Sequence, residues 1–551
     1  MARLVLAMPQ MFATPPPLLT PLETRDEVEE NAPTVGEDRV EASTIGNSGQ
    51  VVTQSHRFTK LEVLTLVCGC FFGIFPDQDI AKRTQPQIGA SNRKAARRGS
   101  KSDMIQFPYF TAVRMFSAPG NMGRMVVLKG QKIRCLLQYF MRVVPRVISD
   151  RASMLSEVID FTRVSVNLPS AQGPIPSDQP PQELLKLIAT VTDCSNTVDQ
   201  AQTNGEVLSS LRLYPAQCVS DTLIEDLDEH LQIDFANKFA GGGVLNAGCV
   251  QEEIRFLLSP ELLVSCLVFA KLEPHEAFVI HGTERYSAYQ GYGGSFVYGG
   301  NFEDTIRMKV LSDGSLRREC VIVGIDATDY GSSRVDRQYT RGHVWRDLVK
   351  AYVGFAYPDA HDEHRCWPVA TGNWGCGVFQ GDRELKFMIQ WLAASLRRRE
   401  LVYVLFERDL DLQTKVNPLL TLATSPKARE WDRQSGGLLQ WFVAFLFDEL
   451  NADREMRREQ SVLGRAAASL ERTLSALNLA GGKQKQECSK QAAGSPPGSP
   501  LIAAENNQEP LAIVRHPDQA DKEGSAGLKK KPKTTKGELH QKTMQDFFSP
   551  K

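Results

Sequence analysis

A triple glycine and a pair of adjacent acids lie close together near the middle of this 551-residue chain. Consecutive glycines inside a domain mark a place where the backbone approaches another group closely. Carboxylates that follow such a loop can act as general acids, general bases or hydrogen-bond acceptors for a substrate. The glycines predict either a phosphate-binding loop or a tight turn, and the acids could then act on whatever is bound. The residues concerned are Gly241, Gly242, Gly243, Gln251, Glu252 and Glu253, with seven residues between the two groups.

The two acids are neighbours, which limits the chemistry that they can share. On a helix, the side chains of Glu252 and Glu253 diverge by about 100°, so the two carboxylates cannot face each other across one bond. A division of work fits this spacing better, with one acid moving a proton and the other holding the substrate by hydrogen bonds. The alternative is an acidic first turn of a helix, which the helix dipole stabilises without any catalysis.

A second glycine-rich segment, residues 370–382, has the same position relative to its neighbours. It follows a short apolar run and leads into a helical pattern near Arg383, with Asp382 available as the N-cap. Backbone N–H groups of such loops commonly point at phosphate oxygens. Two such loops in one domain could bind a diphosphate from both sides. The sequence lacks the Gly-Lys-Ser/Thr ending of a P-loop, and no G-x-G-x-x-G lies between a strand and a helix.

The elements that must position these loops alternate between strands and helices. Short β-rich runs predict buried strands at residues 230–237, 277–282, 320–327 and 401–406, and helical patterns occur at 261–272 and 383–399. This alternation predicts a layered α/β domain.

The region before the strands has a mostly helical pattern. The apolar run at residues 61–75 is too short to cross a membrane and predicts a buried helix. The basic stretch at residues 91–103 predicts a solvated loop or, alternatively, a basic contact patch. Apolar side chains at helical spacing predict one further buried helix face, formed by Ile133, Leu136, Leu137, Phe140 and Val144.

Composition divides the chain further and excludes several classes of protein. The net charge of −1 provides no overall field toward nucleic acid, and no sequence-specific nucleic-acid binding is expected. The 11 cysteines are scattered without metal-ligand spacing, so we expect reduced thiols, no metal site and no membrane association.

We expect five segments along the chain. They are a disordered segment at 1–55, a helical accessory domain at 56–215, an α/β catalytic domain at 216–430, C-terminal helices packing on it at 431–480, and a disordered basic tail at 481–551.

Several motifs together resemble those of the poly(ADP-ribose) glycohydrolase family. The triple glycine and Gln-Glu-Glu match that family's GGG-x(6–8)-QEE pattern. The similarity continues in the family's order through "IED", "QIDFANKFAGGGV", "GTERYSAYQGY", "VATGNWGCGVFQGD" and "LVYVLF". It spans roughly residues 220–410, and less closely the helical region before them.

The resemblance implies a macrodomain, a mixed sheet sandwiched by helices that binds ADP-ribose, preceded by an all-α accessory domain. The implied reaction is hydrolysis of the ribose–ribose O-glycosidic bond of poly(ADP-ribose), with release of ADP-ribose and without any cofactor or metal. The implied partner is the polymer, free or attached to ADP-ribosylated proteins, and the implied role is reversal of ADP-ribosylation in the DNA damage response.

The resemblance also implies roles for single residues. Glu253 resembles the catalytic acid/base, and Glu252 the carboxylate that orients the ribose. Asp234 and Asn237 resemble the polar partners that fix the catalytic loop and the ribose. The glycine loop, with Gln251 beside it, resembles one half of a diphosphate site. The other half is the loop that contains Asn373, Gly375, Cys376, Gly377 and Phe379. The adenine end is implied to consist of Glu225, Tyr292 and Phe406, although the two aromatics could instead be ordinary core residues.

The far C-terminus contains a second, independent signal. The stretch "QKTMQDFF" fits the Q-x-x-[LMI]-x-x-[FY]-[FY] pattern of segments that bind the sliding clamp, proliferating-cell nuclear antigen. Its apolar anchors can share one face of a short turn and enter an apolar pocket, although a short motif can also arise by chance. Upstream, "KKKPK" at 529–533 predicts nuclear import or a solvated basic run. The anchor positions are Gln541, Met544, Phe547 and Phe548.

Two rival hypotheses belong to other functional classes. A non-catalytic ADP-ribose reader would keep a phosphate loop but would have no need of the adjacent acids. A replication scaffold would depend chiefly on the clamp motif. The intact Gln-Glu-Glu favours the enzyme over the reader, whereas deletion of residues 541–551 would test the scaffold.

Overall fold

The computed structural model describes Leu19 and residues 51–75, 110–117, 123–166, 212–331, 334–356, 367–450 and 461–492, with side chains up to residue 477. The described residues up to residue 484 belong to one compact unit. The predictions made for residues 91–103, 529–533 and 541–548 lie outside the described residues.

Twelve strands are formed in the described part of the chain. They are β1 (Val51–Thr59), β2 (Val158–Val166), β3 (Ala216–Val219), β4 (Leu231–Asp234), β5 (Glu276–His281), β6 (Ser287–Gln290), β7 (Val297–Asn301), β8 (Met308–Val310), β9 (Leu316–Arg318), β10 (Val321–Gly324), β11 (Val369–Thr371) and β12 (Leu401–Val404). The strands predicted from apolar runs are confirmed as β4, β5, β10 and β12.

The helices surround these strands. They are α1 (Lys60–Phe71), α2 (Gly123–Val143), α3 (Arg146–Ser149), α4 (Arg151–Ser156), α5 (Gln251–Leu258), α6 (Ser265–Val268), α7 (Arg341–Gly354), α8 (Arg383–Leu396), α9 (Leu410–Ala423), α10 (Pro426–Ser435), α11 (Gly437–Ala444) and α12 (Val462–Ala492). Helix α8 begins after Asp382, whose side chain accepts from the Leu385 amide at 2.9 Å, as the N-cap pattern predicts. None of the described helices is long and apolar enough to span a bilayer.

Eight of the strands form one mixed sheet in the order β1-β2-β5-β10-β4-β11-β12-β3. The five strands from β10 to β3 in this order run parallel to one another, whereas β5, β2 and β1 are joined by antiparallel pairings. The remaining strands form two small hairpins, β6–β7 and β8–β9.

The alternation of side chains along the central strands divides the core into two layers. Val321 and Val323 of β10 pack with α7, α8 and the C-terminal helices on one face of the sheet. Ile322, between them, packs on the other face with α1, α2 and α5. The sheet is therefore covered by helices on both sides, which confirms the predicted macrodomain with a helical region before it.

The N-terminal region is not exclusively helical, which corrects the expectation of an all-α accessory domain. Its strands β1 and β2 pair with each other over nine residues, and β2 pairs with β5. The boundary predicted between residues 55 and 56 falls inside β1. Residues 51–55 of the segment expected to be disordered therefore belong to β1, and Leu19 in the same segment is fully buried. The boundary predicted between 430 and 431 likewise falls inside α10, and α12 continues past Gly481 to Ala492.

Two helix predictions are wrong in detail. In α2, Leu136 and Phe140 are buried as expected, but Leu137 is 43% exposed, because the buried stripe is rotated toward Leu128, Cys135 and Tyr139. The helix expected over 261–272 is instead a 3₁₀ segment, Pro260–Val264, followed by the single turn α6. It ends there because the strand-like segment around Phe269 pairs with Leu19, whose amide donates to the Val268 carbonyl at 2.9 Å.

Candidate active site

The predicted site segments leave the sheet at one edge. Glu225 follows β3, the triple glycine follows β4, Asn373 follows β11 and Phe406 follows β12. These four strands are neighbours and run parallel, so their carboxyl ends meet at the same edge. Ligands of open α/β sheets bind at this edge. The topology therefore brings together segments that are separated by up to 181 residues in the chain.

The Glu252 carboxylate is held in place by the backbone of the glycine loop. Its Oε1 accepts from the Gly241 amide at 2.7 Å, and its Oε2 accepts from the Asn237 amide at 2.9 Å. The side chain is almost fully buried. Burial raises the pKa of Glu252 well above its usual value, and the neighbouring acids Asp234 and Glu253 raise it further.

The Glu253 carboxylate is held by the same loop at two other points. Its Oε1 accepts from the Gly243 amide at 2.9 Å, and its Oε2 accepts from the Val250 amide at 2.8 Å. Both acids lie in the first turn of α5, where the helix dipole favours negative charge. The two carboxylates therefore point into one loop, although each is bound by different amides.

The triple glycine makes room for these carboxylates. A Cβ atom on Gly242 would lie 2.6 Å from Oε2 of Glu252 and 2.8 Å from Oε1 of Glu253. Gly241 and Gly242 also have positive φ angles of 86° and 48°, which other residues rarely adopt.

The amides of the three glycines are all used inside the protein, which differs from the phosphate-facing arrangement expected from the sequence. Gly241 and Gly243 donate to the two acids, and Gly242 donates to the Phe239 carbonyl at 3.1 Å. The close approach that the glycines permit is thus to carboxylates. Contact of this loop with a diphosphate stays a prediction.

Asp234 is the last residue of β4 and precedes the loop. Its side chain is fully buried, and both carboxylate oxygens lack a hydrogen-bond partner among the described residues. Burial raises the pKa of Asp234 to about 8, because the nearby Arg255 offsets only part of the desolvation and Glu253 adds to it. The predicted polar contact with the loop is therefore not formed by this side chain. No group of three or more His, Cys, Asp or Glu in the described part of the chain could hold a metal ion.

Gln251 and Asn237 connect the loop to its surroundings. Gln251 accepts from the Phe235 amide at 2.7 Å and donates to the Ile233 carbonyl at 3.2 Å, so it fastens the start of α5 to the end of β4. Asn237 accepts from the Phe239 amide at 3.1 Å through its side-chain oxygen. The Asn237 side chain therefore contacts the backbone just before the triple glycine, its role toward the ribose stays a prediction, and Gln251 is occupied by backbone groups.

The second glycine-rich loop is anchored by buried polar contacts. Asn373 donates to Asp409 at 2.9 Å and accepts from the Tyr403 hydroxyl at 3.1 Å. Trp374 is fully buried and donates to the Ile325 carbonyl at 2.9 Å, and the Lys386 ammonium lies 4.0 Å from its ring centroid.

Beyond these anchors the loop becomes more exposed. Gly375 has a φ of 73°, Gly377 is exposed, and Phe379 is half-buried. Burial raises the pKa of the Cys376 thiol to about 12, so this thiol is protonated near neutral pH. The exposed part of the loop is the part that could contact a ligand.

Two of the three residues predicted for the adenine end, Tyr292 and Phe406, are brought together. The ring centroids of Tyr292 and Phe406 lie 6.0 Å apart, and Phe406 is 40% exposed. The Tyr292 hydroxyl accepts from the Gln251 amide at 3.1 Å, which links this end to the start of α5. Glu225 accepts from the hydroxyl of Tyr289, a residue that the sequence analysis missed, at 2.9 Å.

Lys132 is a further residue at the site that the sequence analysis missed. It lies on α2, is fully buried, and donates to the carbonyls of Asn246 and Gly248 in the loop between the glycines and the acids. The available signal was its position in the apolar stripe, four residues after Leu128 and four before Leu136.

Comparison with known proteins identifies the family of this chain. Residues 203–413 match a family model described as poly(ADP-ribose) glycohydrolase, macro domain fold. Residues 1–163 match the model of the helical domain of the same family. The chain belongs to the poly(ADP-ribose) glycohydrolase family. The two matches together cover more than half of the chain and include every described segment of the site up to Phe406.

Individual relatives support the family assignment. Poly(ADP-ribose) glycohydrolase 1 of Arabidopsis thaliana is 35% identical over 263 residues, which are 35% of this chain and 47% of the relative. Probable poly(ADP-ribose) glycohydrolase 2 of the same plant is 27% identical over 373 residues, 61% of this chain and 59% of the relative. The chain thus spans about half the length of these relatives. A crystal structure of the glycohydrolase from Thermomonospora curvata matches at 15% identity over 40% of this chain and 77% of that one, with a TM-score of 0.24, too low to support the fold.

Proposed function

We propose that this chain is a poly(ADP-ribose) glycohydrolase, which hydrolyses ribose–ribose O-glycosidic bonds of the polymer and releases ADP-ribose. The observation that carries the proposal is the loop that holds two adjacent carboxylates by four backbone amides at the carboxyl edge of the sheet. Membership of the glycohydrolase family supports the choice of substrate.

The reaction requires one group that first donates and then accepts a proton, and we assign this role to Glu253. In the first half, its carboxyl proton passes to the ribose oxygen that leaves as a hydroxyl, while the anomeric carbon acquires oxocarbenium character. In the second half, the carboxylate accepts a proton from water as the water oxygen bonds to that carbon. Each carboxylate oxygen of Glu253 has two lone pairs and accepts one backbone amide. Each oxygen therefore keeps one lone pair that can bind this proton.

Glu252 is assigned to holding the ribose. It is 3% exposed, whereas Glu253 is 7% exposed, so Glu253 is the more accessible of the two acids. The raised pKa of Glu252 favours a protonated carboxyl, which can donate a hydrogen bond to a sugar hydroxyl. The structure therefore supports unequal roles for the two neighbouring acids.

The structure supplies a matched pair of variants for testing these roles. Each acid accepts an amide N–H on both oxygens, so replacing either one by Gln places an NH₂ group against a backbone N–H. Glu252→Gln and Glu253→Gln should therefore disturb the loop to a similar degree. A difference in turnover between the two variants therefore reflects the different roles of the two carboxylates in the reaction.

We expect Glu253→Gln to abolish release of ADP-ribose from labelled polymer, with binding of ADP-ribose still measurable by calorimetry. Glu252→Gln should weaken substrate binding and retain more turnover than Glu253→Gln. Product sizing on a gel checks both. Full turnover by Glu253→Gln would refute the assignment, and wild-type protein that binds ADP-ribose without shortening the polymer would establish the non-catalytic reader instead.

We also propose that the enzyme is nuclear, binds the sliding clamp through residues 541–548, and acts in the DNA damage response. The support is the sequence of the tail, with its clamp-binding anchors and the basic cluster at 529–533. Phe547→Ala with Phe548→Ala should abolish binding to purified clamp and leave polymer hydrolysis in vitro unchanged. Unchanged clamp binding would refute the motif, and a cellular phenotype that depends on the tail but not on Glu253 would indicate a replication scaffold.

A further inference from the structure

The ammonium group of Lys132 is buried against the inner side of the active-site loop. Lys132 is on α2, in the helical N-terminal region, and its side chain is fully buried. Its Nζ donates to the Gly248 carbonyl at 2.6 Å and to the Asn246 carbonyl at 2.9 Å, and it lies 3.5 Å from the Gly243 carbonyl. One ammonium group thus satisfies carbonyls from both ends of a six-residue segment.

The same segment holds Glu253 through its amides. The Gly243 amide, at one end, donates to Oε1 of Glu253, and the Val250 amide, just past the other end, donates to Oε2. Gly248 approaches so closely that a Cβ atom there would lie 2.5 Å from the same Oε1. The carbonyls of this loop therefore bind Lys132, and its amides bind the acid. A shift of the loop would move the carboxylate with it.

We propose that Lys132 is a positioning residue of the active site: its buried ammonium fixes the Gly243–Gly248 segment, and through it the carboxylate of Glu253. This inference rests on the proposed function of Glu253. It makes the helical N-terminal region a part of the active site, because α2 supplies the group that holds a loop of the macrodomain.

The burial of Lys132 excludes direct contact with the substrate, so its action passes through the loop. Burial lowers the pKa of Lys132 to about 8, against the opposing influence of Cys249 and Glu253, so the group is mostly charged at neutral pH. A charged, multiply hydrogen-bonded ammonium is a strong donor to carbonyls. A neutral apolar side chain would leave the Asn246 and Gly248 carbonyls without this donor, whereas the Gly243 carbonyl would still accept from the Asn246 and Gly248 amides.

Lys129 provides a matched control on the same helix. It lies one turn before Lys132, is also buried, and donates at 2.7 Å to two carbonyls, those of Arg114 and Ser117. These carbonyls belong to the segment around the 3₁₀ turn at 112–115 and not to the active-site loop. Lys129→Met and Lys132→Met therefore remove equivalent buried groups, and only the second one touches the loop.

The test measures turnover of labelled polymer, ADP-ribose affinity and hydrogen exchange of residues 243–250 in both full-length variants. We expect Lys132→Met to lower kcat about 10- to 100-fold, as a small displacement of a catalytic group does, and to lose exchange protection in the loop. Lys129→Met should stay within about twofold of the wild type in kcat and in exchange protection of the loop. In Lys132→Ala, propylamine should restore part of the turnover, and it should have no effect on Lys129→Ala.

Each alternative result has a defined meaning. Equal turnover and equal loop protection in the two Met variants would overturn the proposal. If Lys132→Met does not fold, Lys132→Ala and Lys129→Ala, which likewise remove the two ammonium groups, are compared under the same criteria. Failure of both to fold while Lys129→Met folds would make Lys132 a folding determinant and would also overturn the proposal. An inactive wild-type protein would instead refute the proposed function. Hydrogen exchange of the loop does not depend on activity, so it distinguishes this outcome from failure of the proposal for Lys132.

Discussion

Gly242 and Glu252 approach each other so closely that no side chain fits between them. A Cβ atom on Gly242 would lie 2.6 Å from Oε2 of Glu252, and it would also meet Glu253. The glycine loop and the two acids are therefore one structural unit, in which the absence of a side chain permits the hydrogen bonds that orient both carboxylates.

Replacing Gly242 by Ala should displace both carboxylates and lower turnover by about two orders of magnitude. Gly314→Ala is the control, because Gly314 also has a positive φ, of 82°, but has nothing within 4 Å of its would-be Cβ. Both variants should lose about 1 kcal/mol of unfolding free energy from backbone strain. Only Gly242→Ala should lose activity in the polymer assay, and equal activity of the two variants would contradict the clash.

The buried Asp234 predicts a dependence of stability on pH. Its pKa is about 8 in the folded protein and near 3.9 in an unfolded chain, so the folded state holds a proton that the unfolded state releases between these values. The unfolding free energy contributed by this group therefore falls as pH rises from about 4 to 8. Asp234→Asn cannot release this proton and so does not lose this contribution. The unfolding free energy of the variant minus that of the wild type, measured with urea, should therefore increase by a few kcal/mol between about pH 4 and pH 8.

Asp347→Asn is the control for the sign of this effect. Burial alone would raise the pKa of Asp347, but the ion pairs with Lys386 and Arg346 more than offset it and hold the pKa low. The stabilisation from this group is therefore complete above an ordinary aspartate pKa and is lost only as pH falls below it. Asp347→Asn should differ from the wild type by a constant amount between pH 5 and 8. A constant difference for Asp234→Asn as well would show that Asp234 does not retain its proton.

Phe406 should contribute binding energy rather than catalysis. If an adenine ring stacks on this half-exposed side chain, Phe406→Ala should weaken ADP-ribose binding by about 1–3 kcal/mol and leave kcat within a few-fold. Phe116→Ala is a suitable control, since Phe116 is 55% exposed but lies in the N-terminal helical region. Calorimetry with ADP-ribose checks both variants. Equal affinities would place the adenine elsewhere.

Leu19 should stabilise the folded protein although it lies far from any other described residue in the chain. It is fully buried, and its backbone bonds to both Val268 and Ala270. Leu19→Ala should lower the unfolding free energy by about 2–5 kcal/mol. Leu155→Ala, at a leucine that is 49% exposed, should change it by less than about 0.5 kcal/mol. Similar values for the two in urea unfolding would show that burial of the Leu19 side chain contributes little.

The sequence by itself determined the family, the alternation of strands and helices, and the residues that meet at the sheet edge. Those features depend on local periodicity and on short motifs such as the triple glycine before Gln251, which can be read without knowing the fold. The N-cap at Asp382 and the buried strand β10 were predicted for the same reason, since both depend on residues that are near in sequence.

Only the tertiary structure decided what the glycines are close to and which distant groups hold the loop. The sequence predicts that these amides face a phosphate, whereas in the structure the Gly241 and Gly243 amides donate to Glu252 and Glu253. Strand β1 pairs with β2 across more than 90 intervening residues, and Lys132 reaches its loop carbonyls across more than 110. Such pairings depend on chain closure and on the packing of several elements at once, and periodicity within one element does not encode them.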